Sequence, residues 1–209
     1  MTDRTRMPRP VLAADVERLA VGAAQGEPHA RMELAHATAA AVVEAGRGGG
    51  LGDADEPAER MVRLAETVGL DTLAELWRDA SPDTLPGALW TLYLLRTWCV
   101  ENGEEVARLY RAGRGLAPVD EVVAGVHDDA DLDAVAVLAD SVLTGVYGGD
   151  LAVALERGAA FFRVVAAGRD QLADDGEDGL GETKRAERNR SCADSLTRAA
   201  RSWRAGTLH

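Results

Sequence analysis

Three side chains, His29, Glu33 and His36, have the residue types and the spacing that a helical metal site needs. Separated by four and three residues, they would share one flank of a helix. Glu33 with His36 is also half of the Glu-x-x-His pattern that di-iron helical bundles use twice. The chain contains no second Glu-x-x-His. We therefore interpret this triplet as a solvated helix face and predict no metal site.

A cluster of aspartates follows His127 and suggests calcium chemistry. The positions 1, 3, 5 and 12 of an EF-hand frame are matched by Asp129, Asp131, Asp133 and Asp140. Position 6, where the loop turns sharply and requires glycine, is Ala134, and position 12 is Asp instead of the usual Glu. Leucines and valines continue a helical stripe through the same residues. The pattern therefore predicts a helix and no calcium loop.

Motifs that would mark a catalytic site are missing from the sequence. The glycine-rich segment 46–55 lacks the Gly-Lys-Ser/Thr ending of a phosphate-binding loop and follows a predicted helix, so we interpret it as a flexible connection. No serine stands in a Gly-x-Ser-x-Gly elbow, and four scattered histidines supply few general bases. We predict no catalytic residue and no cofactor, and we favour a protein that is not an enzyme.

One set of residues favours a small-molecule site instead. Trp90, Tyr93 and Arg96 recur at intervals of three in the most apolar part of the chain. An arginine among large apolar side chains must reach water, pair with a carboxylate, or bind an anionic ligand, and the two rings could stack on an aromatic one. A pocket for an anionic, partly aromatic ligand, in a binding protein or an enzyme, is therefore the alternative function.

These three residues belong to the stretch Leu85–Val100, which carries more large apolar side chains than any other part of the chain. A helix that is apolar all round is buried, so we expect this to be the central helix of the fold. The run is too short to cross a bilayer and contains Arg96. Ser81-Pro82-Asp83 is predicted to cap its start, and Asn102-Gly103 to end it in the left-handed conformation.

The rest of the chain repeats helical spacing, which predicts an all-α protein: a single globular bundle of about eight helices. Asp150 is predicted to cap a helix in which Gly158 allows a neighbour to approach closely. The predicted organisation is a polar tail at 1–10, a helical bundle at 11–169, an acidic flexible linker at 170–183 and a basic amphipathic C-terminal helix at 184–209.

Charge distribution directs attention to that last helix. The chain carries a net charge of −12, but seven basic and three acidic residues give 181–209 a charge of +4. A strongly acidic body argues against nucleic acid and acidic membranes as partners. We therefore predict a non-catalytic interaction or regulatory module that binds a protein partner, or a second copy in a homodimer, through Arg198, Arg201 and Trp203.

The two cysteines, Cys99 and Cys192, are too few for a disulfide framework and indicate reduced thiols. Arg4, Arg6 and Arg9 are not followed by the apolar stretch of a signal peptide, because Asp15 and Glu17 interrupt it. The expected location is the cytoplasm.

Two runs within 84–168 support a resemblance to a group of proteins. They are Leu-Pro-Gly-Ala-Leu-Trp-Thr-Leu-Tyr-Leu-Leu-Arg and Gly-Asp-Leu-Ala-Val-Ala-Leu-Glu-Arg-Gly-Ala-Ala-Phe-Phe. With them the chain resembles uncharacterised all-helical proteins of GC-rich actinobacteria. The absence of isoleucine and the presence of a single lysine fit a GC-rich genome. The resemblance implies a bacterial cytosolic protein and brings no catalytic motif with it.

Overall fold

The structure is a computed structural model that describes residues 28–47, 70–125, 150–174 and 179–209. This part of the chain forms seven α-helices and a short 3-10 turn at Arg114–Leu116, and it contains no strand. The helices are α1 (Pro28–Arg47), α2 (Leu70–Trp77), α3 (Leu85–Glu101), α4 (Gly103–Gly113), α5 (Pro118–Ala124), α6 (Leu151–Asp174) and α7 (Gly179–Arg204). The predicted all-α class is confirmed for these residues. None of these helices is both long and apolar enough to cross a membrane.

The central helix is α6, so the expectation that Leu85–Val100 would be buried on all sides is wrong. Helix α6 contacts α3, α4, α5, α7 and the 3-10 turn. Three of its large side chains, Leu155, Phe161 and Val164, are fully buried. Helix α3 buries one broad side, but Leu94 and Val100 on its other side are 44% and 59% exposed. Helix α3 therefore has apolar residues on all sides but is buried on only one side.

Glycines let the backbones of these helices touch. A Cβ on Gly113 of α4 would overlap the carbonyl oxygen of Val164 in α6, and one on Gly168 of α6 would overlap that of Leu109 in α4. At Gly158 of α6, a Cβ would lie 2.7 Å from Leu92 Cδ2 of α3. The close approach predicted at Gly158 is therefore confirmed. Gly113 and Gly168 allow a second close approach, between α4 and α6.

The helices begin and end near the predicted positions, but the residues that cap α3 differ from those predicted. The N-cap of α3 is Thr84, whose hydroxyl accepts a hydrogen bond from the Gly87 amide at 3.4 Å, and not a residue of 81–83. At Asn102 the chain breaks between α3 and α4 with φ −127°, so no left-handed residue is used there. Asp150 caps α6 as predicted, because its Oδ1 accepts from the Ala152 amide at 2.9 Å.

The predicted acidic linker is largely helical. Residues 170–174 complete α6 and 179–183 begin α7, which leaves 175–178, outside the described residues. Helix α7 folds back along α6 as an antiparallel hairpin and buries Leu196, Ala193 and Ala200 in the common core. It is therefore an integral helix of the bundle, not an appendage, and it begins at Gly179 instead of 184.

A turn after α7 closes the bundle at one end. The amide of Thr207 donates to the Ser202 carbonyl and that of Gly206 to the Trp203 carbonyl, with Gly206 at φ 70°, which is the Schellman arrangement. The turn carries Leu208 into the core. The Leu85 amide at the start of α3 then donates to the His209 carbonyl at 2.9 Å.

Candidate functional site

The most unusual surface in the described part of the chain is the outer side of α5. At 100° per residue, Val119, Val122 and Val123 lie on one side of this helix, opposite Ala124. They are 74%, 80% and 43% exposed, whereas Ala124 is fully buried. A surface helix normally shows polar residues to solvent. We call these three residues the valine face.

Polar groups hold α5 against the bundle from the inner side. Asp120 Oδ1 accepts a hydrogen bond from Arg163 of α6 at 3.3 Å, and Arg157 Nε of α6 donates to the Ala124 carbonyl at 3.3 Å. Arg163 also donates to Thr197 Oγ1 of α7 at 2.6 Å. Helix α5 thus turns the Asp120 carboxylate inward and its valines outward, which is the reverse of the usual arrangement.

Two further exposed apolar residues lie on the elements that contact α5. Leu116 of the 3-10 turn and Val153 of α6 are both exposed. Leu116 lies two residues before the start of α5, and Val153 lies one turn before Arg157 on α6. Large apolar patches on a surface mark sites of interaction with other proteins. The valines of α5 were not among the residues predicted to bind a partner. At 100° per residue Asp120 and Glu121 fall away from the three valines, and this separation is the signal in the sequence that α5 has an apolar side.

The structure brings two of the predicted ligand-binding residues together. The rings of Trp90 and Tyr93 stack with their centroids 5.4 Å apart and an interplanar angle of 21°. Both rings and Arg96 are half-buried, and Tyr93 and Arg96 each make further interactions. Because the two rings cover each other, one face of each is already occupied, which leaves less aromatic surface for a ligand to stack on.

The predicted partner-binding residues of α7 are distributed between the body and solvent. Arg198 contacts Asp83 just before α3, with Nη2 to Oδ1 at 2.8 Å. Trp203 is half-buried and packs against the core, and Arg201 is exposed. Two more cations of this helix, Arg190 and Arg204, pair with Asp170 and Glu156 of α6. Much of the positive charge of α7 is therefore matched by the acidic body of the same chain.

Among the residues that the structure describes, the buried cation is Arg169 of α6, whereas the sequence pointed to Arg96. The Arg169 side chain is 6% exposed and joins four helices. The guanidinium contacts Glu105 of α4 at 3.1 Å and Glu182 of α7 at 2.6 Å, and it lies 5.4 Å from the ring centroid of Trp98 in α3. Two carboxylates compensate the buried charge, which indicates a structural junction.

Titratable groups elsewhere are shifted mainly by burial. Burial raises the pKa of the Cys99 thiol to about 12 and that of the Tyr110 phenol to about 12, with Glu121 adding to the second shift. Tyr110 stacks on Phe161 at 5.3 Å between ring centroids. A thiol with so high a pKa is a poor nucleophile at neutral pH, so Cys99 behaves as a packing residue.

The metal triplet is spread along α1. His29 Nε2 lies 3.3 Å from Glu33 Oε1, both exposed, while His36 is half-buried. Burial and the nearby His209 lower the pKa of His36. Among the residues that the structure describes, no three His, Cys, Asp or Glu side chains are grouped so that they could hold a metal ion. The aspartate cluster at 129–140 and most of the glycine-rich segment lie outside those residues.

No protein-family model, no curated protein and no solved structure matches this chain.

Proposed function

We propose that this protein is a non-catalytic interaction module that binds another protein chain through the valine face of α5. The observation that carries the proposal is the reversed polarity of this helix: three valines face solvent while Asp120 faces Arg163. Desolvating such a face on binding is favourable at roughly 25 cal/mol for each Å² of apolar surface. A partner with an apolar helix or strand would supply that burial.

Helix α7 is less well suited to be the binding surface. Arg190, Arg198 and Arg204 pair with carboxylates of this chain, and a partner that used them would first have to break those pairs. Trp203 is packed against the core. The proposal therefore keeps the interaction function that the sequence suggested and moves its surface from α7 to α5. We place this function in the cytosol, since Cys99 and Cys192 are both free thiols.

Photocrosslinking from two positions distinguishes these surfaces. A photoreactive residue is introduced at Val122 or at Arg201 of the full chain, expressed in cells of the source organism, and crosslinked products are identified by mass spectrometry. We expect a defined product from position 122 that disappears when Val119→Asp is added, and none from position 201. A defined product from position 201 alone would show that α7, and not the valine face, is the binding surface.

A further inference from the structure

We infer that α5 docks on the bundle reversibly, through the contact between Asp120 and Arg163, and that its undocking removes the valine face. The inference rests on the proposed function, since it names what regulates the same surface. Helix α5 has seven residues, and isolated helices shorter than about 12 residues are only marginally helical in water. The three valines therefore form one apolar row only while α5 is docked.

Apolar burial holds α5 only weakly. Ala124 is the one buried side chain among its seven residues, whereas α6 buries large side chains such as Leu155 and Phe161. A methyl group removes much less apolar surface from water than a leucine or phenylalanine side chain does. Ala117, the residue before α5, provides no side-chain cap for its first turn. Neither burial nor capping therefore explains why α5 stays in place.

Two arginines of α6 hold α5 instead. Asp120 Oδ1 accepts from Arg163 at 3.3 Å, and Arg157 Nε donates to the Ala124 carbonyl, also at 3.3 Å. The side chains of Arg163 and Asp120 are 34% and 27% exposed, so water screens their attraction less than that of a fully exposed pair. Because Arg163 also donates to Thr197 of α7 at 2.6 Å, it remains in place as a docking point when α5 leaves.

A buried phenol beneath α5 favours undocking. Tyr110 is 1% exposed, and its Oη has no hydrogen-bond partner in the part of the chain that the structure describes. The hydroxyl lies close enough to Glu121 of α5 and Arg114 of the 3-10 turn for both charges to act on it. A buried hydroxyl without a partner costs free energy. Undocking of α5 lets water reach the hydroxyl and removes this cost, which opposes the hold of the two arginines.

Glycines on both sides of α5 allow it to move as a unit. Gly115 in the 3-10 turn has no heavy atom within 4 Å of a Cβ placed on it, and Gly125, directly after α5, has φ 77°. Such residues can absorb the change in backbone direction at a hinge. The balance between the arginine contacts and the buried phenol therefore sets the docked fraction of α5, and a partner binds in proportion to that fraction.

Hydrogen exchange of the full chain, measured by NMR, tests the undocking. The amides of Glu121 and Gly125 donate to the carbonyls of Ala117 and Glu121, so both report on α5. We expect their protection from exchange to be at least about a hundredfold lower than that of the amides next to Phe161 in α6, because α5 opens without the bundle. Equal protection would show that α5 opens only when the bundle unfolds, and would overturn the inference.

A double-mutant cycle tests the contact between Asp120 and Arg163. Asp120→Ala and Arg163→Ala should each lower the protection of these two amides about threefold or more. Asp120→Ala should have little further effect in the Arg163→Ala background, since the contact is already lost. Arg204→Ala is the matched control, because it removes the pair with Glu156 between α6 and α7 and does not touch α5. Equal effects of Asp120→Ala in both backgrounds would show that this carboxylate acts within α5 alone, and the assigned docking contact would be wrong.

Crosslinking tests whether undocking removes the valine face. Ala124→Asp should undock α5, because docking would bury a carboxylate. We expect the crosslink from position 122 to be lost in this variant and kept in Arg204→Ala, and a crosslink that survives undocking would overturn the switch. If position 122 gives no crosslink in the otherwise unchanged chain, the proposed function and the switch both fail. Failure of the exchange experiments would overturn the undocking and leave the interaction surface standing.

Discussion

Gly113 and Gly168 show how single residues determine the distance between two helices. Each lies against a backbone carbonyl of the opposite helix, where α4 packs on α6. We expect Gly113→Ala to destabilise the protein by about 1–3 kcal/mol, because a backbone oxygen cannot rotate away as a side chain could. Urea denaturation followed by circular dichroism measures this loss.

Gly115→Ala is the matched control, since no heavy atom lies within 4 Å of a Cβ placed there. Its free energy of unfolding should stay within about 0.5 kcal/mol of that of wild type. Equal midpoints for the two variants would show that α4 and α6 are further apart than described here.

A second prediction at this scale concerns His36, whose pKa is lowered by burial and by the nearby His209. The unfolded chain therefore binds a proton more readily than the folded one. The stabilising effect of neutral His36 is complete above its unfolded pKa of about 6.5 and is lost as the pH falls through that value. The charged group nearest to His36 in sequence is Glu33, which contacts His29.

We expect the melting temperature of wild type to fall more steeply between about pH 7 and pH 5 than that of His36→Gln. His29→Gln is the control, because His29 is almost fully exposed. Parallel pH profiles for wild type and His36→Gln would contradict this assignment.

Individual residues also show what the sequence could and could not reveal. The sequence suggested that a cation in an apolar run needs a carboxylate, and this is physically correct, but it selected Arg96. In the described part of the chain the buried cation is Arg169, whose partners Glu105 and Glu182 are 64 and 13 residues away. Such pairing depends on how helices pack, which periodicity within one helix does not determine.

At the scale of helices, Arg169 connects α6 to α3, α4 and α7. We expect Arg169→Ala to cost about 3–5 kcal/mol, since it removes a buried cation and takes away one of the two arginine partners of Glu182. Glu105→Gln should cost less than about 1 kcal/mol, because the Glu105 side chain is 42% exposed and water screens its charge. Denaturant titrations compare the two variants, and similar losses would contradict a junction centred on Arg169.

The loss of stability at acid pH distinguishes a missing ion pair from a cavity left by a smaller side chain, because a cavity would not change this pH dependence. Burial alone would raise the pKa of Glu182, but hydrogen bonds from Arg169 and Arg185 outweigh it and lower the pKa. The stabilisation is therefore present above the unfolded carboxyl pKa of about 4.3 and is lost as the pH falls below it. We expect Arg169→Met, which keeps most of the side-chain volume, to flatten this part of the stability profile.

Helix identity was more predictable than helix placement. Spacing and capping residues in the sequence located α3 and α6, because these signals act within a few residues. Burial of a whole helix depends on its neighbours instead. Leu85–Val100 is the more apolar sequence, yet α6 is central because its glycines and alanines allow other helices to approach closely.

For the whole molecule, the same reasoning explains why the last helix was predicted to be separate. Acidic and glycine-rich composition at 170–183 resembles a linker, but Asp170 and Glu182 pair with Arg190 and Arg169 across the hairpin. Composition shows that charges are present and does not show whether a neighbouring helix neutralises them. The basic helix α7 and the acidic rest of the chain thus belong to one bundle, in which their opposite charges pair.

Removing α7 should therefore unfold the protein and not merely delete a binding surface. Without it, α6 would expose the side that covers Leu196, Ala193 and Ala200, and the core would lose Leu208. We expect a chain ending at Asp174 to lose its cooperative thermal transition and to bind a hydrophobic dye. In the control, a protease site placed between Asp174 and Gly179 is cut after folding, and α7 should remain bound to the body. Retention of the wild-type melting temperature by the truncated chain would show instead that α7 is an appendage, and would return Arg198, Arg201 and Trp203 to consideration as a surface for partners.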